Sequence, residues 1–173
     1  MKRLIFVFGV LYSTISIAQT TSKKGTIKAL DEKYGFRDMT FGTDTTATKD
    51  LVYTATTSGL RAYTRPGNSL SIGGAELTSI LYGYYKGKFA VVMAQSEGAN
   101  NAKSLLDALV ATYGYPVRPN PYLKEYYWRG QSVVMTLKTD ALNKSSLILQ
   151  SVPLYNQIAE EQKAKANKAS SDL

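Results

Sequence analysis

A chain of 173 residues, 44% of them hydrophobic, can fill one core and not two. It has neither histidine nor cysteine, which excludes Ser-His-Asp and Cys-His nucleophile systems, zinc sites built on nitrogen or sulfur, and disulfide staples. The formal charge of +8 is spread over Lys23, Lys24, Lys28, Lys86, Lys88, Lys124, Lys144 and the C-terminal tail with no block of like charges, so it reads as solubility and not as the footprint of a polyanion site.

Residues 1–18 have the form of a signal peptide. Lys2 and Arg3 give a basic start, Leu4 to Leu11 an apolar run, and Ser16-Ile17-Ala18 a small-x-small cleavage site. The run falls short of the roughly 20 apolar residues that span a bilayer, although an uncleaved N-terminal anchor is the other reading of it. Cleavage after Ala18 would leave Gln19 first and take away Lys2 and Arg3, so that the charge becomes 8 − 2 = +6. No cysteine follows the site to carry a lipid, and no later stretch is long and apolar enough to span. The expectation is an exported protein, periplasmic or secreted, with no stable membrane insertion after cleavage.

Residues 19–33 are polar, with Ile27 and Leu30 as their sizeable apolar groups, and read as a flexible lead-in. Tyr34 to Gly42 predicts a short first strand, with Met39 and Phe41 sharing a face and glycines framing Phe36 and Phe41. The threonine-dense run Thr43 to Thr57 fits either a brief helix toward Leu51, capped by Thr43 or Asp44, or an extended segment. Leu60 to Arg65 alternates as a half-buried strand should, and Pro66-Gly67-Asn68 supplies a turn. Leu70 to Ile72 resumes the chain before Gly73-Gly74 breaks it again.

Ala75 to Ser96 predicts a hairpin folded about Lys86-Gly87-Lys88. Its first strand sets Leu77, Leu81 and Tyr85 against Ile80, Tyr82 and Tyr84; its second sets Phe89, Val91 and Met93 against Ala90, Val92 and Ala94. Strands apolar on both faces belong in the middle of a sheet covered on both sides. A helix follows, with Asn100 or Asn101 as its cap and Ala102, Leu105, Leu106, Leu109 and Tyr113 on one face. Gly114 ends it and Pro116 bars continuation. After the proline-rich connection Pro116 to Pro121, Glu125 to Arg129 and Ser132 to Lys138 read as a second hairpin, with Tyr126 and Trp128 on one face and Tyr127 on the other. Ser146 to Val152 is the last strand. Ile158 to Ala169 is rich in strong helix formers without an apolar stripe, which predicts a solvated polar helical tail over 153–173. The order of elements implies a single α+β domain over 34–152: an antiparallel sheet of about five to seven strands, one amphipathic helix packed on a face, and a polar C-terminal helix.

The Gly-Phe-Arg-Asp-Met-x-Phe-Gly opening (Gly35 to Gly42), the Tyr-Gly-x-Tyr-Lys-x-Lys-Phe hairpin (Tyr82 to Phe89), the Leu-Leu-Asp-Ala-Leu helix ending in Tyr-Gly and the Tyr-Tyr-Trp strand resemble small exported bacterial proteins of uncharacterised function. The resemblance covers residues 34–152 and implies export and a single domain. It brings no activity or site.

No chemistry-bearing motif stands out. Asp38, Asp44 and Asp50 are spaced by six without the glycine-centred loop of a calcium site. Ile72-Gly73-Gly74 is followed by no lysine-serine pair and opens a strand, unlike a phosphate cradle. No metal or other cofactor is expected. Glycosidase chemistry needs only two carboxylates, and Glu76, Glu97, Glu125 and Asp140 lie near strand ends. Tyrosines are the main positive signal: Tyr82, Tyr84, Tyr126 and Trp128, with Arg129 beside them, form a candidate ligand-binding set if one sheet face is exposed, and a core and rim if it is not. The leading expectation is thus an exported non-enzymatic domain that binds a ligand or protein partner of the cell envelope through an aromatic-bearing sheet face. A carboxylate-dependent hydrolase acting on envelope glycans is the alternative. Nucleic acid is not an expected partner, because the Lys/Arg-Gly-Phe motif of sheet-based RNA readers is missing.

Overall fold

A computed structural model describes residues 27–57 and 59–171; the expected signal peptide (1–18) and residues 19–26 of the lead-in lie outside the described residues. In chain order the elements are helix α1 (Ile27–Lys33), a ribbon of β1 (Gly35–Phe36) and β2 (Met39–Thr40), a 3-10 turn (Thr45–Ala47), strands β3 (Val52–Thr57) and β4 (Leu60–Thr64), and a second ribbon of β5 (Ser71–Ile72) and β6 (Ala75–Glu76). The long central strands β7 (Ser79–Tyr85) and β8 (Lys88–Glu97) follow, then helix α2 (Ala99–Tyr113), strands β9 (Glu125–Arg129), β10 (Val133–Thr139) and β11 (Lys144–Ser151), and helix α3 (Val152–Ser171). The fold is α+β, as the order of elements implied.

The main sheet has seven antiparallel strands in the order β3-β4-β7-β8-β11-β10-β9. It is two meanders joined along β8 and β11. Helix α2 carries the chain from the middle of the sheet to the far edge, from which β9, β10 and β11 return to the centre. Leu105 and Leu109 bury its apolar stripe against the sheet, and the Gly114 N–H donates to the Val110 carbonyl at 2.8 Å to close its last turn. The N-cap is Gly98, one residue before the helix. Asn101 instead donates to the Glu97 carbonyl and accepts from the Glu76 N–H, tying the helix start to β6.

The face under α2 holds Ile80, Tyr82, Tyr84, Phe89, Val92 and Ala94 from the central hairpin, and Val133, Met135, Leu137, Leu147 and Leu149 from the second meander. Strict alternation would place Phe89 opposite Val92, yet both face α2. The register between β7 and β8 shifts at Gly83/Tyr84, where Tyr84 pairs with Phe89 and Gly83 with Val91. A bulge adds one residue to one strand, so the period-2 pattern changes phase across it.

Among the described residues, the second face has a helix over one end. There Tyr85 and Ala90 are sealed by Ile158 and Leu154 of α3, so the helix expected to be solvated docks through its first two turns. Further along, Met93, Ile148 and Val134 are half-buried among Gln95, Gln150, Thr136 and Lys138.

Three other expectations change. Tyr34 to Gly42 is a tight ribbon turning at Arg37-Asp38 and not one strand. Thr43 to Thr57 contains both a 3-10 turn and an edge strand. The last residues of the lead-in form α1, with Leu30 in the core. Seven residues do not hold a helix alone; the packing of Leu30 and the bonds of Asp31 described below hold this one.

Candidate functional site

The expected aromatic set does not form a binding face. Tyr82, Tyr84 and Trp128 are 1%, 0% and 1% exposed. Each has its polar tip satisfied inside the protein: the Tyr82 hydroxyl accepts from Asn68 Nδ2, the Tyr84 hydroxyl donates to Thr48 Oγ1 at 3.1 Å, and Trp128 Nε1 donates to the Gly114 carbonyl at 2.8 Å. With the tips paired, the rings can be buried whole. Burial also pushes the Tyr82 and Tyr84 hydroxyls above the usual tyrosine pKa. Tyr126 lies half-buried at the rim of this core, with the Arg118 guanidinium 5.6 Å above its ring. Arg129 is exposed on the opposite face, over Tyr127 at 5.8 Å. The rings belong to the core, and the arginine is not beside them.

The acidic candidates are held in surface pairs and turns. Glu97 pairs with Lys144 at 3.2 Å, and Asp140 accepts from the Leu142 and Lys144 N–H groups. Glu125 accepts from the Tyr127 hydroxyl at 2.7 Å and pairs with Lys138 at 3.1 Å; the tyrosine bond, then the lysine, hold its carboxyl below the usual range. Glu76 is exposed. Asp38 is bound by Arg65 and Asp44 by Lys88. Among the described residues no three acidic side chains come together as a metal site would require.

A different region is open. A cleft of about 340 Å³ lies between the β1–β2 ribbon, the β5–β6 ribbon and α2, at the small end of ligand pockets. Its floor is core: Phe36, Leu109, Met135, Leu147 and Leu149 line it and are buried. Lys33, Arg37, Ser71, Thr112 and Tyr113 line its more exposed rim. One wall depends on Gly73. A Cβ there would stand 2.1 Å from the Ala108 Cβ, and its φ of +54° is already unfavourable for other residues. The glycine thus lets the turn of the second ribbon sit directly on α2.

The rim is ordered by bonds between its parts. Lys33 Nζ donates to the Arg37 carbonyl, and an Arg37 Nη donates to the Ser71 carbonyl at 3.0 Å, bridging the two ribbons. The Arg37 guanidinium also lies 5.1 Å from the Phe36 ring centroid. Sequence reading missed all of these residues. The one local signal was Gly73-Gly74, read only as a break, because what makes the glycine necessary is Ala108 of α2, 35 positions later in the chain.

Among the described residues no helix is long and apolar enough to cross a membrane. No family model, curated protein or solved structure matches this chain, so the reading of the cleft rests on its geometry and chemistry.

Proposed function

We propose that the chain is an exported, non-enzymatic domain that binds a small amphipathic ligand in the cleft between the two ribbons and α2. One observation carries this reading: a cavity of about 340 Å³ opens between the two ribbons and α2, with the buried Met135, Leu147 and Leu149 of β10 and β11 at its base. A mostly apolar concavity with a few polar groups at its edge is the usual form of a small-molecule site. The lining includes no aspartate or glutamate, so nothing at this cleft favours the alternative of a carboxylate hydrolase.

The test uses the neutral fluorescent probe N-phenyl-1-naphthylamine. It should bind saturably at one site per chain. Thr112→Trp, a change at an exposed rim position, should fill the opening and weaken binding at least tenfold while the circular dichroism spectrum stays the same. Equal binding by the two proteins would remove the cleft from consideration.

A further inference from the structure

Given that reading of the cleft, we infer that its ligand carries an anionic head, held at the rim by Lys33 and Arg37. Both cations line the cleft, and neither makes an ion pair among the described residues. Their bonds are to carbonyl oxygens, Lys33 to that of Arg37 and Arg37 to that of Ser71, which orient both groups without a direct ion pair among the described residues. Asp38 is next in sequence to Arg37 and interacts with its charge, yet both of its oxygens accept from Arg65, at 2.9 and 2.7 Å. The bond to Ser71 occupies one Nη, and the rest of the guanidinium fork makes no hydrogen bond among the described residues. A planar fork and an ammonium on the lining of one cleft suit a carboxylate or a similar oxyanion.

The apolar floor supplies the second half of the specificity. The ligand class is therefore a small amphiphile with an oxyanion head and an aliphatic or aromatic body. The head alone would lack the buried contacts, and the body alone would lack the charge-assisted bonds. The Ser71 hydroxyl, 2.9 Å from Ser69 Oγ, lies at the same rim and can turn its one O–H to an oxyanion, whereas the Thr112 hydroxyl donates to the Ala108 carbonyl at 2.8 Å.

Displacement of N-phenyl-1-naphthylamine by compounds with one tail and different heads tests this. Octanoate should displace the probe at a concentration at least tenfold below that needed for octanol, octyltrimethylammonium should be weaker than octanol, and sodium sulfate without a tail should not displace it. In Lys33→Gln/Arg37→Gln the octanoate-to-octanol ratio should fall to about one. In the unaltered protein, 0.5 M sodium chloride should shrink the same ratio, a readout that needs no variant to fold. Equal displacement by octanoate and octanol in the unaltered protein would overturn the anionic head and leave the apolar cleft standing. Failure of the probe itself to bind would overturn both.

Discussion

The carboxylate of Asp31 accepts from three consecutive backbone N–H groups, those of Gln131, Ser132 and Val133, at 2.7, 2.8 and 3.0 Å. These belong to the turn between β9 and β10, so one side chain ties the first helix to a hairpin a hundred residues later. The fit leaves no room at Gly130, where a Cβ would lie 2.2 Å from an Asp31 oxygen. Asp31→Ala should cost about 1–3 kcal/mol, the range for unsatisfied polar groups and bonds to a charged acceptor, as read from urea denaturation. A change within error would mean that water replaces the carboxylate without loss. Asp38 is tied in a similar way: the hydrogen bonds from Arg65 hold its carboxyl below the usual aspartate range. A depressed folded-state pKa means that the stabilisation is complete above the unfolded value of about 4 and is lost as pH falls through the lower folded value. Asp38→Asn should therefore flatten the acid limb of stability against pH. Since the Asp38 side chain is 61% exposed, the loss at neutral pH should stay under about 1 kcal/mol. An unchanged acid limb would assign the slope to other carboxylates.

Elements differ in how much of their role is local. Helix α2 was legible because its stripe, its terminal glycine and the proline beyond lie within the same short stretch. The turn Lys86-Gly87 was legible for a similar reason: both residues have positive φ, at 48° and 80°, as a two-residue hairpin turn requires. Helix α3 was only half legible. Leu154 and Ile158, four positions apart, form a short apolar stripe just before the polar run, and Ser151 Oγ accepts from the Leu154 N–H at 3.5 Å to start the helix. Past Ile158 the docking continues with the pairing of Lys86 and Glu161 at 2.5 Å. Ile158→Ala should cost about 1–2 kcal/mol, below the range for deletions in the main core because the cluster is small. It should also speed amide exchange in α3 while leaving β8 protected. Unchanged exchange in α3 would mean that Leu154 and the ion pair suffice.

At the scale of the molecule, the two meanders and the crossover between them decide which side chains meet. One edge of the sheet, β9, is bonded through Tyr127 to Val117 in both directions, at 2.8 and 2.9 Å. The other, β3, is exposed, with a register shift between Tyr53 and Ala55, and such irregularity discourages strand addition from outside. The sequence alone determined the class of fold, the central hairpin, the helix that covers it and the absence of histidine and cysteine chemistry. Each of these follows from composition or from a repeat between near neighbours. Tertiary structure alone decided that Tyr82, Tyr84 and Trp128 are core, because burial of a tyrosine or tryptophan depends on a partner for its polar tip, and those partners are Asn68, Thr48 and Gly114. It also decided the bulge phase of Phe89, the tie from Asp31 to a distant turn, and the cleft itself, whose floor and rim come from segments far apart in the chain and become neighbours only when α2 crosses the sheet.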